Sequence, residues 1–179
     1  MTSNKRIQLL LDKDEIRDLI YSYCQMVDRC DFDRVKELYH EDAKDDHGIN
    51  ESGNVADFIE ELKPIYAQST GIHHSVSNCY IKVLGDYAEA ESYISAHQNM
   101  PDIDDHNAVI IAGGRYMDKF ERRNNVWKFL HRRLVVDWAR REQPRDAWDN
   151  PSVKVVASGA TDASDPSYHY FTLFKRGMR

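Results

Sequence analysis

The sequence predicts an α+β domain in which N-terminal helices pack into a strongly bent antiparallel sheet. Three observations predict it. Apolar residues recur every three to four positions over the first third of the chain and at every second position afterwards. The helical segments precede the strands and do not alternate with them, as in α+β domains. A glycine pair, Gly113-Gly114, falls in the middle of a long strand pattern, where glycine often marks a sharp bend. A bent sheet wrapped around a helix makes a cone-shaped α+β barrel with an open mouth, a natural pocket for a small molecule.

Each element can be justified in turn. Residues 12–29 read as a helix: Ile16, Leu19, Ile20, Tyr23 and Val27, with Cys30 beyond, form one apolar stripe, and Asp12 and Asp14 offer N-cap chemistry. "DFDRVKELY", 31–39, is a second short helix capped by Asp31. "EDAKDDHGINESGN" is polar, with a short strand before a turn at Gly48. Residues 54–66 are a third amphipathic helix carrying Val55, Phe58, Ile59 and Leu62, stopped around Pro64. Strands at 72–84 and 87–99 meet at a Gly85-Asp86 turn. After the polar loop "MPDIDDHN", the long strand "AVIIAGGRYMDKFERR" returns through a tight Asn124-Asn125 hairpin into "VWKFLHRRLVVDWARR". Beyond Glu142 the pattern is irregular, with "SVKVVAS" as a last strand and "DPSYHYFTLF" as an aromatic tail. Residues 1–142 therefore make the domain. Residues 143–179 make a tail that covers the pocket or meets another subunit.

Composition narrows the function. The 179 residues suit one core, and 41% hydrophobic content argues against disorder. A net charge of −6 argues against general affinity for nucleic acid or an anionic membrane. The basic residues from Arg115 to Arg145 alternate with apolar ones, which reads as the solvated face of strands. "MTSNKRIQLLLDKDE" lacks the apolar core of a signal peptide, and no window approaches the ~18 apolar residues of a membrane span. Three cysteines without paired spacing fit reduced thiols in the cytoplasm. There is no Gly-rich phosphate loop, and "AGGR" lacks the strand-loop-helix context of one.

The stretch "GIHHSVSN" carries the first candidate chemistry. Neighbouring strand residues point to opposite faces, so one of His73 and His74 faces an interior. Even positions (Ile72, His74, Val76) carry the apolar bulk at first, but Cys79, Ile81 and Val83 reverse the preference. Parity alone leaves the choice open. A histidine in a pocket suits proton abstraction, and works better with a carboxylate on its other nitrogen. Asp28 is the candidate carboxylate, although on a straight helix it falls off the stripe centred on Tyr23.

The order of elements, with "YMDKFERRNNVWKFLHRRLVVDW" as the most specific stretch, resembles the SnoaL-like branch of the nuclear transport factor 2-like superfamily over roughly residues 10–142. That branch includes scytalone dehydratase, bile-acid 7α-dehydratase and hexachlorocyclohexane dehydrochlorinase, together with proteins that catalyse nothing. The resemblance implies a catalytic histidine at His74 with a polar residue four positions on, at Asn78. It implies a catalytic aspartate at Asp28 and a tyrosine at Tyr23. It puts a second acid-base residue at His97, on a strand face with Tyr93 and Ser95. It also matches Arg132 to an active-site arginine, while the residues leave a structural ion pair equally open.

Two departures follow. Tyr23 stands where the dehydrochlorinase has a lysine, and its pocket tryptophan falls near Asp45. Asp45, Asp46 and His47 make that corner polar, which favours a hydroxylated or carbonyl-bearing substrate. Their sequential spacing is poor for a metal.

The expected function is a cofactor-independent lyase, a dehydratase acting on a small alicyclic or aromatic compound. An isomerase or cyclase using the same dyad is the alternative, and a non-catalytic small subunit of a ring-hydroxylating dioxygenase is a third. No metal or nucleotide is expected. A homo-oligomer is, with a trimer favoured by the dehydratase relatives and a dimer as the alternative; Tyr168, Tyr170, Phe171 and Phe174 are expected to pack on a neighbouring subunit or to close the pocket mouth.

Overall fold

A computed structural model of the chain describes residues 2–48, 53–101, 107–143, 147 and 149–173. The elements run α1 (Ser3–Asp28), α2 (Phe32–Glu37), β1 (Tyr39–Asp46), α3 (Val55–Tyr66), β2 (Gly71–Leu84), β3 (Tyr87–Pro101), β4 (Asn107–Arg123) and β5 (Val126–Glu142). Two single-turn helices follow, α4 (Pro151–Lys154) and α5 (Ser167–Tyr170). The expected architecture holds: helices first, then one five-stranded sheet in the order β1-β5-β4-β3-β2. The sheet is mixed and not closed, because β1 pairs parallel with β5 while the other three pairings are antiparallel. β1 and β2 are thus its two edges.

Local chemistry accounts for most boundaries. Asn54 caps α3 by accepting from the Ala56 and Asp57 N–H groups. Pro64 does not stop α3, which runs on for two more residues to Tyr66 before its cap at Ala67. Asn124 and Asn125 both take positive φ, as a two-residue hairpin turn requires. Residues 152–158 do not form a strand: Asn150 accepts from the Ser152 N–H and Pro151 opens α4. No helix among the described residues is long and apolar enough to cross a membrane.

α1 starts at Ser3, well before the apolar stripe, so Asp12 is not its cap. Asp12 is a buried mid-helix anchor. It accepts from Arg122 at 2.7 Å and from the Trp127 indole N–H at 3.2 Å, clasping α1 to the β4–β5 hairpin. The preceding turns leave Ile7, Leu10 and Leu11 more than half exposed, which is why no core-facing pattern marks them in the sequence.

Irregularities in the strand pairing set which residues face inward. In β2, Val76 pairs with Ile94 but Cys79 pairs with Ser92, so β2 has one residue more than β3 across this step. The inward set therefore runs Ile72, His74, Val76 and then Cys79, Ile81, Val83, which resolves the reversal of parity seen in the sequence. In β5 an irregularity at Leu130 moves the inward set from Trp127 and Phe129 to Arg132 and Leu134, and another falls at Asp137, opposite Gly113 and Gly114.

Arg132 lies at the centre of the core with no solvent exposure. Its Nε and Nη2 donate to the two oxygens of Asp118 on β4, each at 2.8 Å. The rings of Tyr23, Tyr116 and Phe129 surround the guanidinium at 4.1, 3.9 and 4.3 Å. Burial works against the arginine charge, and the Asp118 carboxylate more than offsets it. The reading of Arg132 as an ion-pair partner is the one this geometry fits.

Arg132→Met leaves Asp118 buried without its partner, and should lower the unfolding free energy by about 3–5 kcal/mol. Arg132→Met with Asp118→Leu should recover most of that loss. Chemical denaturation of the three proteins measures it; a double variant as unstable as the single one would refute the pair's role.

Candidate functional site

Asp28 is the last residue of α1 and is buried. The helix unwinds just after it: Cys30 adopts a φ of 49°, and the Asp31 N–H returns to the Met26 carbonyl at 2.8 Å. β2 packs along this flank of α1 and brings His74 to the carboxylate. Asp28 Oδ1 lies 2.6 Å from His74 Nδ1, and Oδ2 accepts the His74 backbone N–H at 3.0 Å. The carboxylate so fixes both the ring and the strand that carries it. An ionised carboxylate only accepts, so the proton sits on Nδ1 and Nε2 keeps its lone pair. His73 points the other way, with its ring nitrogen 3.0 Å from the Ser75 hydroxyl on the exposed face.

His74 opens onto a cavity of about 220 Å³ between the concave face of the sheet and α1 and α3. Its wall is mostly apolar: Phe58, Leu62 and Ile65 from α3, Ile94 and Ala96 from β3, and Leu134 and Val136 from β5. Gly113 and Gly114 form part of it where β4 bends. An added Cβ at Gly113 would fall 2.4 Å from the Trp138 ring, and one at Gly114 2.3 Å from the Val135 carbonyl oxygen. Absence of side chains is therefore what lets β4 and β5 approach there.

The polar groups in this wall are few. Tyr23 and Tyr116 stand over Arg132, and Tyr66 accepts a hydrogen bond from Gln98 Nε2 at 3.0 Å. Burial pushes all three phenols above their ordinary value, so they are neutral donors. His47, just beyond β1, lines the same cavity and is stacked on Phe58 at 4.8 Å. His47 Nδ1 meets Asp45 Oδ1, and Asp45 Oδ2 accepts the Tyr39 hydroxyl at 2.6 Å.

Of the residues singled out in the sequence, the structure brings Tyr23, Asp28 and His74 together at this cavity. Asp45 is fully buried and reaches the cavity only through His47. Arg132 lies behind the wall, beneath Tyr23 and Tyr116.

Asn78, Tyr93 and His97 do not line the cavity. Asn78 falls at the β2 bulge and is exposed. Tyr93 and His97 do share a strand face, but it is the outer one, because Ile94, Ala96 and Gln98 take the inner face of β3. Asp46 also turns outward, to Arg133 at 2.8 Å, so Asp45, Asp46 and His47 do not converge on a metal site. Among the described residues no group of three potential ligands does.

None of the described tail residues lines the cavity. The tail instead rests on the α1–α2 junction, where Asp165 meets Arg29 at 3.2 Å and the Tyr168 hydroxyl meets Asp31 at 3.4 Å. Tyr170 is exposed, and Phe174 lies outside the described residues. In the sequence, His47 stands only as part of a polar corner. The alternation Asp-x-His at the end of a strand was the available signal, since it puts Asp45 and His47 on one side.

A family model, the SnoaL-like domain, matches residues 8–133. No curated protein matches the chain significantly. Among solved structures, the chain is similar to a Novosphingobium aromaticivorans protein provisionally called a scytalone dehydratase. Identity is 21% and the TM-score 0.67, over 77% of this chain and 92% of that one. It is similar to a type 2 hexachlorocyclohexane dehydrochlorinase, with 19% identity and TM-score 0.67 over 79% of this chain and 98% of that one. A second N. aromaticivorans protein, provisionally called an aromatic ring hydroxylase, gives 23% identity and TM-score 0.65 over 79% and 96%. These likenesses share a fold under three different names.

In the neutral ring, both His47 and His74 should carry the proton on Nδ1. Ring-nitrogen NMR shifts of ¹⁵N-histidine-labelled protein check this, and Asp28→Asn should disturb the His74 pattern alone. Nε2-protonated rings in the unmodified protein would contradict the geometry.

Proposed function

We propose that this chain, which belongs to the SnoaL-like domain family, is a cofactor-independent lyase. It removes water from a small alicyclic or aromatic compound bearing a hydroxyl and a carbonyl. The observation that carries this reading is the His74–Asp28 pair at an apolar cavity. His74 Nε2 takes a proton from the carbon next to the carbonyl. Asp28 holds the tautomer and stabilises the imidazolium that forms. Tyr23 donates to the carbonyl oxygen as negative charge develops on it.

Cavity size supports a single substituted ring, since about 150 Å³ is enough for benzene and this cavity has about 220 Å³. The dehydratase and dehydrochlorinase names among the similar structures support an elimination, with the fold as their only common ground. An isomerase would use the same dyad and leave the substrate mass unchanged. A non-catalytic dioxygenase subunit would turn over nothing alone.

Incubation of purified protein with a panel of hydroxylated cyclic ketones, read by mass spectrometry for loss of one water, tests the reading. His74→Ala should lower the rate by about 10²–10⁴ with the fold retained, and Asp28→Asn by a comparable amount. Activity should survive a strong chelator. Unchanged rates in both variants would remove the dyad from the mechanism, and loss on chelation with recovery on added metal would replace it.

We also propose a homo-oligomer, a trimer. Its support is the apolar surface left open at Ile7, Leu10 and Leu11 on α1 and at Tyr80, Tyr87 and Tyr93 on the outer face of the sheet. Analytical ultracentrifugation should give the mass of three chains; a compact monomer would refute it.

A further inference from the structure

We infer that His47, held by Asp45, is the general acid that protonates the departing hydroxyl, so that the cavity is a two-histidine site for β-hydroxy carbonyl compounds. The inference rests on the dehydratase reading of His74 and Asp28 and adds what that reading lacks. Taking a proton from carbon does not release hydroxide, a poor leaving group. A second positioned acid must deliver a proton to the oxygen.

The fold supplies one. His74 is carried by β2, one edge of the sheet, and His47 directly follows β1, the other edge. The sheet bends so that both rings line one cavity. The two are built alike. Each gives its Nδ1 to a buried carboxylate, and each carboxylate has a second donor of its own: the His74 backbone N–H for Asp28, the Tyr39 hydroxyl for Asp45. Each histidine is left with Nε2 as its free ring nitrogen. Phe58 stacks on His47 at 4.8 Å, and the Tyr23 ring lies 6.4 Å from it and near parallel to it.

A solvated surface histidine would need none of this. Burying a carboxylate with no exposure costs stability unless both oxygens are used, and here both are.

The step balances. The reacting form has His74 neutral and His47 protonated. His74 Nε2 takes the proton from the carbon, and that electron pair becomes the new C=C bond. The C–O bond breaks, its pair stays on oxygen, and oxygen takes the Nε2 proton of His47. Water and the unsaturated carbonyl compound leave. His74 then returns its proton to solvent and His47 regains one. Asp45 acts through His47 and is a positioning residue.

Two probes separate the roles: 3-hydroxycyclohexanone, whose leaving group needs a proton, and 3-acetoxycyclohexanone, whose acetate leaves without one. Both give cyclohexenone, followed by its ultraviolet absorbance. His47→Gln should lower kcat on the alcohol by about 10²–10⁴, and raise the ester-to-alcohol rate ratio by about tenfold or more. His74→Ala should slow both probes and leave the ratio unchanged. Asp45→Asn should raise the ratio as His47→Gln does, and serves if His47→Gln loses its cooperative melting transition. An unchanged ratio in both His47→Gln and Asp45→Asn overturns the inference. So does a wild-type protein that eliminates acetate and not water, which would leave the His74 reading standing. A wild-type protein inactive on both probes overturns the β-hydroxy carbonyl assignment, and unchanged rates in His74→Ala overturn the dyad reading itself.

Discussion

Everything in this molecule is arranged around an arginine that has no access to water. The Arg132 charge has to be met where it lies, and Asp118 meets it with both oxygens while three rings close over the guanidinium. One Nη1 still has no acceptor, so ring faces take the place of hydrogen bonds there. Two of those rings, Tyr23 and Tyr116, also form the floor of the cavity. Both rings are packed on the guanidinium beneath them. A phenol in such a floor holds its proton and keeps one orientation, which is what a fixed hydrogen-bond donor to a developing oxyanion needs.

A second constraint follows from the same low-dielectric interior. Two carboxylates, Asp28 and Asp45, stand beside an apolar cavity without presenting an oxygen to it. Each spends both oxygens on protein donors. What faces the cavity is therefore imidazole, phenol, amide and hydrocarbon, with the negative charge one ring behind. A substrate carbonyl meets donors, not repulsion, and proton transfer to either imidazole is supported from the far side.

Much of this was legible in the sequence, and the failures have physical causes. Period changes located α1, α3 and the four-strand meander, and Asn124-Asn125 marked its hairpin, because these signals are local. The inward face of β2 was not legible. The bulge inserts a residue whose presence shows only in pairing with β3, so His74 and Ile81 have opposite parity yet share a side. The same shift explains Asn78: four positions on from His74 would be inward on a regular strand, and is outward past a bulge. Tyr93 and His97 failed because β3 offers polar residues on one face and small apolar ones on the other. The cavity took the small ones. Asp12 looked like a cap because a cap and a mid-helix anchor use the same residue type, and only the distant Arg122 and Trp127 tell them apart.

The close approach of Gly113 and Trp138 has a consequence for descent. An indole occupies the space that any Cβ at 113 would need. A side chain at 113 requires the Trp138 ring to move out or to be replaced by something smaller. Gly113, Gly114 and Val136 all belong to the cavity wall, so its shape at that end is inherited as a block. Asp28, His74, Asp45 and His47 lie on other segments of the chain and are free to diverge separately. Such a scaffold can change what fits without touching the chemistry, or change the chemistry without touching what fits.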